Sequence, residues 1–224
     1  MLEMPLLETE RLLIRPFVIE DLAEVHQLLD VELDAAILGT DKMENLAERA
    51  EWLQWAALNH TQLAKLHQPP YGDRAIVLRS TGHLIGACGF VPCLNVFEQL
   101  PGLGFRQEHA ETNFRQEDTE TNFRQKGTGT GSPQRPPGES RYSTEFGLFY
   151  AISPAYQRQG YAFEAAQALV DYAFQHLHLL RVIAETDYDN LGSMGVMRKL
   201  GMRIEKNPYA DPPWLQVVGV LENK

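Results

Sequence analysis

Cysteine is nearly missing from this chain: Cys88 and Cys93 are the only two in 224 residues. They lie too far apart for a CxxC redox pair and have no second pair to complete a zinc site. Both read as reduced thiols in or near a strand. Long apolar runs are missing too. Nothing approaches the ~20 residues that span a bilayer as a helix, and no basic opening with a short apolar stretch marks a secretory leader. The expectation is a cytoplasmic protein with no membrane contact. Neither G-x-G-x-x-G nor a Gly-Lys-Ser/Thr phosphate loop occurs, so a dinucleotide oxidoreductase and a P-loop nucleotidase both lack their signatures. Positive charge is scarce. The 20 Lys and Arg stand against 30 Asp and Glu, a formal charge of −10. That balance disfavours nucleic acid, whose phosphates are bound by Lys and Arg, and leans slightly toward a basic partner.

What is present suits a soluble globular domain. The chain is 44% hydrophobic and 22% charged, enough to bury a substantial core. One strand–helix series runs through it, so a single domain over 1–224 is expected. A strand is expected at Arg11 to Pro16, a helix from Asp21 to about Leu29, and a helical stretch around Leu46 to Leu66. Arg74 to Arg79 and Leu84 to Val91 flank the polar turn Ser80-Thr81-Gly82-His83 and read as a hairpin. The next strand is expected near Thr144.

Between these strands lies a low-complexity insert at about 102–141. Phe105 to Asn113 is nearly repeated by Phe114 to Asn122, and a decayed third copy opens at Phe123-Arg124-Gln125. A nine-residue spacing fits neither regular element: nine steps of ~100° put each Phe on the opposite helix face, and an odd step flips a strand face. Few apolar residues offset the entropy of ordering such a segment. It reads as a surface arm formed by tandem duplication. The sharper alternative is an arm at the mouth of a site.

The most informative stretch runs from Glu145 to Gly201. The apolar run Phe146 to Ile152 reads as a strand, closed by Ser153-Pro154 because proline cannot donate to a ladder. Then come Gln157, Arg158, Gln159, Gly160, Tyr161 and Ala162. From there Ala165, Ala166, Leu169, Val170, Ala173 and Leu177 recur at three- and four-residue steps, the pattern of a buried helix face. A helix start leaves its first N–H groups unpaired and carries about half a positive charge, and glycine allows close approach. The turn is therefore a candidate cradle for a diphosphate. Leu179 to Thr186 reads as a buried strand, and a second helix runs from near Asn190 to Gly201.

Gln157-x-x-Gly160-x-Ala162, with Asp187 to Ser193 and Lys199-Leu200-Gly201-Met202, resembles the GNAT acyltransferase superfamily. Thr9 to Pro16 and Asp21 resemble the opening of its Rim-type branch, which acetylates ribosomal-protein N-termini and small amines. The resemblance implies an α/β (α+β) GNAT fold: a mixed, mostly antiparallel central sheet flanked by helices, with the insert between two central strands. It implies an N-acetyltransferase moving an acetyl group from acetyl-CoA to a primary amine, a protein N-terminus or small molecule, by direct attack in a ternary complex. No metal is implied, and the protein would be a monomer or homodimer. The alternative is a noncatalytic acyl-CoA-binding regulator of the same fold.

Carried over residue by residue, Glu145 is the candidate base, acting directly or through water, with Glu185 or a water chain able to serve instead. Backbone groups at Tyr150, Ala151 and Ile152 would meet the thioester carbonyl and pantetheine arm. Asn190 would bind pantetheine amides, although Asn at a helix start is first a cap. Ser193 is the candidate acid at the departing sulfur. Many relatives outside the branch place a tyrosine where this chain has Met197, and a thioether cannot donate a proton. The acid is then Ser193, Tyr188, water or none. Trp52, Trp55, Tyr71 and Pro212-Pro213-Trp214 are candidates for an acceptor groove or for packing. Asp30, Glu32 and Asp34 either attract a cation or form a solvated face.

Overall fold

The computed structural model describes residues 3–33, 42–100, 103, 142–209 and 211–224. Strands β1 (Leu7–Glu8) and β2 (Leu12–Pro16) precede helix α1 (Leu22–His26), which continues as a π-type turn over Gln27–Glu32. Helix α2 (Leu46–Lys65) leads to β3 (Gly72–Leu78), β4 (Leu84–Asn95) and β5 (Ser143–Ile152). The chain finishes with α3 (Tyr161–Gln175), β6 (Arg181–Thr186), α4 (Leu191–Lys199), β7 (Arg203–Lys206) and β8 (Val217–Glu222). The strands form one 8-stranded sheet in the order β1-β2-β3-β4-β5-β6-β8-β7. Every neighbouring pair is antiparallel except β5 and β6. The mixed, mostly antiparallel sheet flanked by helices is the architecture expected from the sequence.

Alternation along the strands divides the core between the two faces. On one face Ile14, Ile76, Cys88, Phe90 and Leu148 pack against Ala165, Leu169 and Ala173 of α3 and Met194 and Met197 of α4. On the other, Ala75, Val77, Ala87 and Ala151 meet Val25 and Leu28 of the first helical segment and Leu53 and Ala56 of α2. A third cluster joins Val96, Phe97 and Leu100 to Ile183, Val218 and Val220. Met197 and Met202 are therefore core residues, 0% and 5% exposed.

Local chemistry sets the helix ends. The Asn45 side chain accepts from the N–H groups of Ala47 and Glu48 at the start of α2, and Asn190 accepts from Ser193 N–H at the start of α4, as N-caps do. Gly201 closes α4 at φ +81°, the left-handed cap that glycine adopts without penalty.

The structure departs from the sequence reading at β4, which runs on to Asn95 rather than ending at Val91. β3 stops pairing at Gly72 opposite Phe90, so Pro92 sits where one edge of β4 has no ladder and its missing N–H costs nothing. The closing hairpin β7–β8 and the two-residue β1 had no counterpart in that reading. The expected insert at about 102–141, apart from Leu103, lies outside the described residues, as does Asp34. Its flanks are adjacent, because Asn95 and Ser143 face each other across the β4–β5 ladder.

Candidate functional site

The site begins with a split in the sheet. β5 pairs with β4 continuously from Asn95 opposite Ser143 to Gly86 opposite Ile152. Its parallel pairing with β6 is confined, among the described residues, to Gly147 opposite Ile183. Gly147 is needed there, since a Cβ would run into Cys93 Sγ and the Val91 carbonyl. Beyond this point the two strands diverge, and the edge of β5 from Leu148 to Ile152 that faces β6 keeps no strand partner among the described residues. Backbone donors on such an edge need another acceptor.

A cavity of about 760 Å³ occupies the divergence. On the α3/α4 face it is lined by Tyr150, Asn190 and Ser193; on the α1/α2 face by Trp52, Asp73 and Phe149; and Glu185 and Cys93 also line it. It thus reaches both faces of the sheet. Tyr150 Oη lies 3.0 Å from Ser193 Oγ and donates to the Ser193 carbonyl at 3.1 Å. Burial raises the Tyr150 pKa, opposed by the Ser193 contact, so the phenol keeps its proton through neutral pH. Glu185 is half-buried at the end of β6, and Asn95 Nδ2 donates to its Oε2 at 3.4 Å. Desolvation raises the Glu185 pKa and outweighs the contacts from Cys93 and Asn95. Burial also pushes the Cys93 thiol up to about 12, with the Glu185 charge adding to the effect. That thiol is protonated at neutral pH and is a poor nucleophile.

The turn before α3 has the shape of an anion nest. Arg158 and Gly160 both take positive φ, +60° and +89°. Gln157 Nε2 donates to the Ile152 carbonyl at 2.9 Å, folding the turn onto the end of β5. Among the described residues, no backbone acceptor pairs with the N–H groups of Arg158, Gln159, Gly160, Tyr161, Ala162 or Phe163. Successive unpaired N–H groups at a helix start form a concavity suited to phosphate oxygens. A clasp braces it from the N-terminal strands. Glu164 accepts from Thr9 Oγ1 at 2.5 Å, Arg11 N–H at 2.9 Å and Arg11 Nε at 2.6 Å. Arg11 Nη1 then donates to the Gln159 carbonyl at 3.0 Å, and its guanidinium lies 4.3 Å from the Tyr161 ring centroid. The turn is on the surface, outside the cavity's lining.

The sequence candidates are not all brought together. Tyr150, Asn190 and Ser193 line the cavity, as does the alternative base Glu185; Glu145 does not. It is 8% exposed, and both of its oxygens are held by the Arg181 guanidinium, with Nε to Oε2 at 2.7 Å. It is neither an exposed strand-end acid nor a cavity group. Ala151 and Ile152 are buried, and the Ile152 carbonyl is the Gln157 acceptor. Tyr188 is occupied elsewhere, its phenol donating to the Asn207 carbonyl at 2.7 Å. Trp52 and Trp214 line the cavity, whereas Trp55 does not and Tyr71 lines a separate small pocket. The Asp30 side chain is 2% exposed and bound by Arg49 and His26, so it is no part of a solvated face. Two groups escaped the sequence reading in these roles: the Tyr150 side chain, whose partner Ser193 is distant in the chain, and Asp73, one acid in an apolar strand. Among the described residues no cluster of metal-ligating side chains occurs, and no helix is long and apolar enough to cross a membrane.

Comparison with known proteins finds a family match over part of the chain. Residues 106–203 match the model of the acetyltransferase (GNAT) domain. An uncharacterized N-acetyltransferase, YnaD, of Bacillus subtilis (strain 168) is 46% identical over 68 residues, which cover 30% of this chain and 38% of that protein. The structure is similar to an acetyltransferase from Agrobacterium tumefaciens str. C58, with a TM-score of 0.60, 20% identity and coverage of 98% of this chain and 95% of that one. It is also similar to the ribosomal-protein-S5-alanine acetyltransferase of Vibrio fischeri, with a TM-score of 0.61, 14% identity and coverage of 99% and 98%. At such identities the solved structures speak for the fold alone.

Proposed function

We propose that the chain is an acetyl-CoA-dependent N-acetyltransferase acting by direct transfer to a primary amine, a reading supported by the match of residues 106–203 to the acetyltransferase (GNAT) domain and by a fold similar to that of a ribosomal-protein acetyltransferase. The carrying observation is the cavity that passes through the split between β5 and β6. In this reading one side takes the thioester and the other the acceptor, so that both substrates are held at once.

Acetyl-CoA supplies the acyl group as a thioester. The nest at Arg158 to Phe163 suits its diphosphate, Asn190 the pantetheine amides, and the unpaired edge of β5 around Tyr150 to Ile152 the thioester carbonyl. In this reading Glu185 accepts the proton that the ammonium acceptor must lose before its nitrogen can form the new C–N bond. A buried carboxylate with a raised pKa is better matched to that task than an ordinary one. As the C–S bond breaks, Tyr150, hydrogen-bonded to Ser193, protonates the departing sulfur, and the second proton that the nitrogen sheds on forming the amide restores the phenol. A thiolate is a fair leaving group, so this assistance is secondary. Glu145 takes a positioning role, its pair with Arg181 fixing the start of β5 beside β6 below the split.

The test is release of CoA thiol from acetyl-CoA against peptides beginning with Ala, Ser or Thr, polyamines, aminoglycosides and free amino acids. Turnover with one class, lost in Glu185→Gln while acetyl-CoA affinity persists, supports the proposal. Saturable acetyl-CoA binding without release across the panel overturns it in favour of a noncatalytic binder.

A further inference from the structure

Besides Glu185 and Asp187, the cavity is lined by an acidic group that the transfer itself does not require. Asp73 is on β3 opposite Gly89, on the sheet face it shares with Ala75 and Val77 under α1 and α2. It lines the cavity together with Leu29, Trp52, Ala87 and Phe149. Its carboxylate makes no hydrogen bond or ion pair among the described residues. The nearby cation is already committed: Arg49 donates to Asp30 through Nε at 2.8 Å and Nη2 at 2.6 Å. Its guanidinium also lies 4.8 Å from the Trp52 ring centroid, and the residue is 4% exposed, so it is fixed in place. His26 lies 2.8 Å from the same Asp30 carboxylate. Arg49 acts on Asp73 only as a weaker opposing charge, and burial pushes the Asp73 pKa up to about 6.

An acid desolvated at a cavity wall without an internal counter-charge is an incomplete ion pair. The groups around it are apolar and aromatic, suited to methylenes and to the flank of a cation. We infer that Asp73 binds a second cationic nitrogen of the acceptor, carried on an apolar tether away from the nitrogen that reacts at Glu185. The substrate class is therefore a primary amine bearing a second ammonium group. This inference rests on the transferase reading for calling that ligand an acceptor, but the binding itself can be measured without turnover.

The experiment follows fluorescence of Trp52 and Trp214, which both line the cavity, during titration with diaminobutane and with butylamine, buffered above the Asp73 pKa. Diaminobutane is expected to bind about tenfold tighter, the worth of one charge-assisted contact. The preference should vanish in Asp73→Asn, whose near-isosteric amide leaves acetyl-CoA affinity unchanged and does not lower stability. Equal affinities in the wild-type protein, no binding of either amine, or a preference that survives in Asp73→Asn would each overturn the inference. The wild-type comparison stands even if the variant folds poorly. An Asp73-dependent preference without CoA release for any amine would instead remove the transferase reading and leave the cation site.

Discussion

Glu185 and Glu145 stand on neighbouring strands in different surroundings. Among the described residues Glu185 meets the cavity without a cationic partner, whereas Glu145 is clamped by Arg181. Glu185→Gln is expected to lower kcat by about 10²-fold or more with acetyl-CoA affinity unchanged, the usual range for loss of a general base. Activity should rise as pH passes through the elevated Glu185 pKa, because only the ionised carboxylate accepts a proton. Glu145→Gln should chiefly reduce stability, since one partner of a buried pair is removed; an unchanged melting temperature with a collapsed kcat would reverse the two assignments. Cys93→Ala should keep its turnover, the thiol being protonated; an acetylated Cys93 trapped in the absence of acceptor would contradict that. Asp73 makes a stability prediction of definite sign. Its folded pKa, about 6, exceeds the ordinary 3.8, so its contribution is fully present below the ordinary value and is lost as pH rises through about 6. Asp73→Asn removes that loss and should gain on the wild type between acidic and neutral pH, by at most about 3 kcal/mol. Chemical denaturation at both pH values measures it.

Among the elements, the turn into α3 depends on a contact far away in sequence. Gly160 at φ +89° was legible as a glycine before an amphipathic helix, since turn and helix are local. The clasp from Thr9 and Arg11 to Glu164 was not, because it joins the first strands to α3 through tertiary packing. Gly160→Ala is expected to cost about 1 kcal/mol or more through its left-handed backbone and to weaken acetyl-CoA binding. Calorimetry of binding and melting separates the two effects. In Glu164, burial works against ionisation, but hydrogen bonds from Thr9 and Arg11 outweigh it and hold the pKa below 4.5. Its stabilisation is present above the ordinary carboxylate pKa and is lost as pH falls through the depressed value. A Glu164→Gln variant should accordingly lose its stability deficit in acid.

At the scale of the whole molecule, the sheet order places chemistry where no local pattern announces it. The run from Phe146 to Ile152 reads as a strand from composition, but its divergence from β6 is a property of two strands and of Gly147 against Cys93. Tyr150 and Ser193 meet because β5 and α4 share one face of the sheet, and Asp73 joins them in one cavity from two strands away. Glu145 illustrates the converse. The sequence puts an acid at the head of the strand, but nothing local to it shows that Arg181 arrives beside it. What periodicity and caps disclose is therefore the elements and the turn at Gly160, while the different surroundings of the acids come from pairing across the sheet.

The central claim is that both substrates occupy this divided cavity together and that Glu185 takes the proton. The most direct measurement is the initial rate of CoA thiol release with acetyl-CoA and amine varied against each other, in wild type and Glu185→Gln. The account predicts intersecting double-reciprocal lines and a rate about a hundredfold lower in the variant. Parallel lines, the mark of a covalent acyl-enzyme route, or an undiminished rate in Glu185→Gln would contradict it.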